Sequence, residues 1–126
     1  MKIQESGENY LETILILQKR NGSVRQIDVA NELGYTKPSI SNAMTILRQS
    51  GYITDDAEGL HLTKAGQALA ESIYERHQII SAMLIQLGVD ETIARTDACR
   101  IEHDISAESF QKMKEHYLRH QKESSR

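Results

Sequence analysis

The chain has 126 residues, 39% hydrophobic and 26% charged, the proportions of a soluble globular protein that can bury one core or two very small ones. It shows no secretory h-region and no apolar run near the roughly 18 residues of a membrane span, which argues against export and membrane insertion; its single cysteine excludes an intrachain disulfide and suits a reducing cytoplasm. A net charge of −3 and the absence of Trp weigh against a uniformly basic nucleic-acid binder and against an aromatic platform for single strands, so any nucleic-acid face must be a local basic patch.

The pattern predicts a first helix over 7–18, with Leu11, Ile14, Leu15 and Leu17 inward, Ser6 as N-cap and Asn21-Gly22 as its end. A short second helix is predicted from Val24 to Glu32, carrying Ile27, Ala30 and Leu33, with Gly34 beyond its end. Thr36 then caps a third helix, about Lys37 to Gln49, with Pro38 in a first turn that needs no donor there. Ile40, Met44 and Leu47 face inward. Tyr52-Ile53-Thr54 and Leu60-His61-Leu62 read as two short strands around an Asp55–Gly59 loop. Thr63 caps a long helix from about Lys64 to Gln86, Asp90 caps a helix running to Ile105, and Ser106 caps a last helix from about Ala107 to His120. The tail, Gln121 to Arg126, is polar and expected to fray.

Helix, short turn, helix and hairpin is the order of a winged helix-turn-helix. The expected fold is therefore mainly α: an N-terminal winged helix-turn-helix over 1–63 and a C-terminal helical domain over 64–126. Residues 1–63 hold six Lys/Arg against eight Asp/Glu, and 64–126 hold nine against ten, so neither half is basic as a whole. On the third helix, Lys37, Ser39, Ser41, Asn42, Thr45 and Arg48 form a face of short polar and cationic groups suited to base edges and phosphates. Pro38 suits a thymine methyl, and Arg25 a phosphate. The acidic loop (Asp55, Asp56, Glu58) argues for a wing that contributes weakly, through His61.

Cys99-x-x-Glu102-His103 places a thiol, a carboxylate and an imidazole on one helical face, a half-shell for a borderline-soft divalent metal. His77 on the long helix and the i, i+3 pair Asn9 and Glu12 on the first helix are candidate additional ligands. A first helix that contributes ligands to later helices would let metal fix the orientation of the DNA-reading part. His116 and His120, also i, i+4, are expected to be solvated.

Glu8-Asn9-Tyr10-Leu11-Glu12-Thr13-Ile14, Val24-Arg25-Gln26-Ile27-Asp28-Val29-Ala30, Thr36-Lys37-Pro38-Ser39-Ile40-Ser41, Leu62-Thr63-Lys64-Ala65-Gly66, Tyr74-Glu75-Arg76-His77 and Asp97-Ala98-Cys99-Arg100-Ile101-Glu102-His103 together resemble the diphtheria-toxin-repressor and manganese-transport-regulator family over nearly the whole chain. The resemblance implies a cytoplasmic, metal-dependent repressor of metal-homeostasis genes, a homodimer joined through 64–120, and palindromic operator DNA. The length resembles that of two-domain members and leaves no room for the SH3-like domain of larger ones. The departures are specific. Asn9 stands where manganese-type members carry Asp and iron-type members Met; Glu12 matches the manganese type; Cys99 matches the iron type, where the manganese type has Glu. The ancillary iron-type site corresponds to His77, Ser81 and Arg95 and is largely dismantled. Fewer carboxylates and one thiolate favour Fe²⁺, then Mn²⁺, with Co²⁺, Ni²⁺ or Zn²⁺ able to bind in vitro. Two other functions stay open on the residues alone. One is a winged-helix regulator sensing oxidation at Cys99. The other is a small metallohydrolase, disfavoured because Glu102-His103 lacks His-Glu-x-x-His spacing.

Overall fold

A computed structural model describes residues 5–124. Its elements run α1 (Glu5–Asn21), α2 (Gln26–Leu33), α3 (Lys37–Gln49), β1 (Ile53–Asp56), β2 (Gly59–Leu62), α4 (Lys64–Gln86), α5 (Glu91–Asp104) and α6 (Ala107–Ser124). Two compact units divide between Ser72 and Ile73, inside α4. Among the described residues no helix is long and apolar enough to cross a membrane.

In the first unit α1 packs against α2, α3 and β2. Leu11, Ile14, Leu15 and Leu17 are all buried, which is the apolar face the sequence spacing predicts. α1 already includes Ser6, so that residue lies within the helix and not at its cap. The second helix differs from expectation at its start. Val24 forms an isolated antiparallel bridge to Leu60, and α2 begins only at Gln26. The Arg25 N–H donates to Asp28 Oδ2 at 2.8 Å, closing the first turn. Val29 and Ala30 are the buried residues of the helix, and Ile27 is 40% exposed. Gly34 (φ +71) ends the helix, its N–H donating to Ala30 O.

Thr36 Oγ1 accepts from the Ser39 N–H and starts α3, with Pro38 in the first turn. Ile40, Met44 and Leu47 are buried. The hairpin is tighter than the five-residue loop expected: Asp56 pairs with Gly59, leaving Ala57 and Glu58 as the turn. Glu58 N–H donates to Asp56 Oδ1 at 2.7 Å, an Asx-type bond that holds the Asp56 carboxyl below its ordinary pKa, helped by His61. A Cβ at Gly59 would lie 2.3 Å from Val24 O. That missing side chain is what lets Leu60 N–H reach Val24 O at 2.7 Å.

Thr63 Oγ1 accepts from the Gly66 N–H and donates to Gly51 O, tying the start of α4 to the end of α3. In the second unit Ile80, Ala98 and Phe110 form a core against which Ile79, Leu84, Ile105 and Met113 pack. The Asp90 carboxylate caps α5 through the Thr92 and Ile93 N–H groups. Ser106 caps α6 by accepting from Ser109 N–H. α6 continues through Ser124, beyond the predicted end at His120, and Ser125 and Arg126 lie outside the described residues.

Candidate metal centre and nucleic-acid interface

In the second unit, α4 and α5 bring His77, Cys99, Glu102 and His103 together. Cys99, Glu102 and His103 each offer one ligand atom within 4.8 Å of the others. Cys99 lies three and four residues before Glu102 and His103, the helical spacing noted in the sequence. The Glu102 side chain is wholly buried and that of His103 is 2% exposed, while Cys99 is exposed. His77 Nδ1 lies 3.0 Å from Glu102 Oε2. Glu102 Oε1 is buried and takes part in no hydrogen bond, although His103 Nε2 is 3.3 Å away.

A buried carboxylate oxygen left without a donor costs free energy unless a cation compensates it. Carboxylate, imidazole and thiol are together the donor set of a borderline divalent transition metal. The residues present therefore fit such an ion. Asn9 and Glu12 belong to α1 in the first unit, where the Asn9 carbonyl accepts from Thr13 Oγ1 at 2.9 Å.

Arg76 is a residue whose role the sequence did not reveal. Its Nη1 donates to the main-chain oxygens of Glu102 (3.1 Å) and Ile105 (2.8 Å), and its guanidinium lies 5.5 Å from the centre of the Phe110 ring. It supplies donors and positive charge where a helix C-terminus lacks partners, and so fixes the backbone that carries Glu102. Only its place beside His77 in Tyr74-Glu75-Arg76-His77 pointed to it. Arg76→Ala is expected to cost about 2–3 kcal/mol, the loss of hydrogen bonds from a charged donor. Arg76→Lys should recover only part of that, because lysine lacks the planar guanidinium that lies beside the Phe110 ring. Urea denaturation of the metal-free chain measures both.

On the first unit, Lys37, Pro38, Ser39, Ser41, Asn42 and Thr45 are all exposed and follow one another along α3. Thr45 Oγ1 donates back to Ser41 O at 2.9 Å, which orients its methyl outward from that bond. Arg25, also exposed, precedes α2. Arg48 is engaged differently from the expected outward phosphate contact. Its Nε lies 2.5 Å from Asp55 Oδ2, and its Nη2 is 3.1 Å from Asp55 Oδ1 and 3.2 Å from Gln26 Oε1. The hydrogen-bonded Asp55 carboxylate raises the Arg48 pKa further. On the wing, His61 Nε2 lies 2.9 Å from Asp56 Oδ1. In α6, the rings of His116 and His120 meet edge to face at 4.2 Å.

Comparison with known proteins agrees with both halves of this geometry. Residues 2–58 match the N-terminal DNA-binding domain of the iron dependent repressors, and residues 63–124 match their metal binding and dimerisation domain. The transcriptional regulator MntR of Escherichia coli O157:H7 is 37% identical over 108 residues, which is 85% of this chain and 70% of MntR. An HTH-type transcriptional regulator of Methanocaldococcus jannaschii is 30% identical over 115 residues, 89% of this chain and 92% of that protein. Among solved structures, the manganese regulator SloR (TM-score 0.78) and the metal-dependent transcriptional regulator MtsR (TM-score 0.81) are each 26% identical, covering 91% and 86% of this chain. The chain spans 54% of the SloR chain and 52% of the MtsR chain. Its relatives are transcriptional regulators and not enzymes, which removes the metallohydrolase reading. The chain belongs to the iron dependent repressor family of metal-dependent, DNA-binding transcriptional repressors.

Proposed function

We propose that this repressor controls metal-homeostasis genes in the cytoplasm and is activated by Fe²⁺, with Mn²⁺ next and Co²⁺, Ni²⁺ or Zn²⁺ able to replace them in vitro. The observation that carries the metal reading is Glu102 Oε1, buried and without a hydrogen bond beside His103 and Cys99. The proposed ligands are His77, Cys99, Glu102 and His103, with Asn9 and Glu12 supplied by the DNA-reading part. Cys99 and Asn9 favour Fe²⁺, because Mn²⁺ prefers hard oxygen ligands. The name of SloR, a manganese regulator, speaks for the other ion.

The domains proposed are 1–63 for DNA and 64–126 for metal and dimerisation. Leu87, Ile93 and Leu118 are exposed apolar side chains of the second unit, at 80%, 55% and 47%, and suit an interface between two copies. A two-fold dimer reads a palindrome. Arg25, Lys37, Pro38, Ser39, Ser41, Asn42 and Thr45 are the proposed DNA contacts, with Arg48 at the margin.

The test is an anaerobic titration of the full chain with Fe²⁺ and, separately, Mn²⁺, following anisotropy of a palindromic duplex selected from a random pool. Metal should tighten binding, at lower Fe²⁺ than Mn²⁺, and the required metal should fall as pH rises because Cys99 must lose its proton. Binding indifferent to metal would refute activation; equal or lower demand for Mn²⁺ would refute the iron preference.

A further inference from the structure

Arg48 offers the proposed DNA face a planar fork of donors, the geometry that suits a phosphate. In this chain the fork is already filled. Both oxygens of Asp55 lie against it, at 2.5 and 3.1 Å, and Gln26 Oε1 takes a further bond at 3.2 Å. Arg48 and Asp55 are seven residues apart, across the connection from α3 to β1, and Gln26 comes from α2. It is also only partly sheltered: the side chains of Arg48 and Asp55 are 35% and 44% exposed. A pair in that setting can be opened by a competing anion. The second wing acid, Asp56, lies against His61, with Oδ1 2.9 Å from Nε2, and among the described residues the ion pair of Arg48 is with Asp55.

We propose that Asp55 is a specificity-determining residue: its carboxylate occupies the Arg48 fork in place of a DNA phosphate and so weakens binding to sequences other than the operator. This rests on the reading of α3 as the DNA-facing helix. A mixed-sequence duplex is held almost wholly by phosphate contacts. It lets the protein settle in whichever register brings most phosphates to its cations. Base contacts remove that freedom on an operator. A carboxylate that competes for one cation therefore weakens mixed-sequence binding more than operator binding.

The experiment uses the full chain with saturating Mn²⁺ and two probes: a mixed-sequence duplex, and the duplex selected from a random pool by the wild-type chain. Asp55→Asn should tighten mixed-sequence binding about fivefold, the most an exposed ion pair of this kind is worth, and steepen its salt dependence by about 0.9 in log–log slope, one added phosphate contact. The selected duplex should gain less, so the ratio of the two affinities falls. Glu58→Gln removes the same charge without freeing Arg48 and should do less. In an Arg48→Gln background, Asp55→Asn should lose its effect. Asp55→Ser serves as a second variant if the amide perturbs the hairpin. Equal effects of Asp55→Asn and Glu58→Gln, or an Asp55→Asn effect that persists without Arg48, would reduce the finding to general charge and overturn the proposal. Weaker binding of both duplexes would overturn it in favour of a structural brace. Failure of the wild-type chain to bind either duplex would overturn the DNA-facing reading of α3 itself.

Discussion

At Fe²⁺ or Mn²⁺ concentrations just sufficient for the wild-type chain, a His103→Ala chain is expected to bind its operator no more tightly than without metal. His103 places an imidazole nitrogen 3.3 Å from Glu102 Oε1, and its removal leaves the second unit with His77, Cys99 and Glu102. Changes one shell out from a metal already cost about 10–100-fold in affinity, so loss of a direct ligand should raise the metal concentration needed by more than about 100-fold. The substitution also takes a ring from beside a buried carboxylate, so the metal-free chain must be shown to be folded by circular dichroism. Metal affinity read by competition with a chelating dye separates loss of the ion from loss of DNA contacts. A folded His103→Ala chain that retains wild-type metal affinity would remove His103 from the ligand set. The Cys99→Ser chain addresses the oxidation reading: if peroxide still modulates its DNA binding as in wild type, Cys99 is not the sensor.

Gly66→Ala is expected to destabilise the first unit by more than about 3 kcal/mol, the upper end of ordinary overpacking. Within a helix this exchange ordinarily stabilises by about 1 kcal/mol, since alanine is the better helix former. Here the sign reverses. A Cβ at position 66 would lie 2.0 Å from Tyr52 O. That oxygen is main chain and already accepts from Thr63 N–H at 3.0 Å, so it cannot swing aside as a flexible side-chain end would. The first turn of α4 would have to lift from the segment between α3 and the hairpin, breaking the Thr63 cap bonds on the way. Urea denaturation gives the magnitude, and a variant as stable as wild type would refute the close approach.

The parts legible in the sequence were those governed by local rules. Thr36, Thr63, Asp90 and Ser106 cap the helices they were expected to cap, because capping depends on a side chain and N–H groups two or three residues on. The cluster Cys99, Glu102 and His103 follows from helical spacing in the same way. What sequence did not reveal joins distant residues. The Val24 bridge is a single residue and carries no periodicity. It shifts the start of α2 from Val24 to Gln26. The bonds from Arg76 to Glu102 and Ile105 span 26 and 29 residues. Arg48 reads as one more polar residue on an outward face until β1 places Asp55 against it. Long polar side chains have several rotamers, and the partner that selects one is supplied by tertiary structure.

The bridge at Val24 also bears on self-association. A two-stranded hairpin has two open edges, and each is a template on which another chain can add a strand. In this wing the Leu60 N–H is already taken by Val24 O, so the β2 edge is covered where Gly59 lets the main chains meet. Among the described residues β1 pairs with β2 alone, and that open edge carries Asp55 and Asp56. Like charges facing one another across a new strand pair are destabilising. The wing thus resists becoming a seed for sheet growth, one edge being covered by main chain and the other guarded by charge.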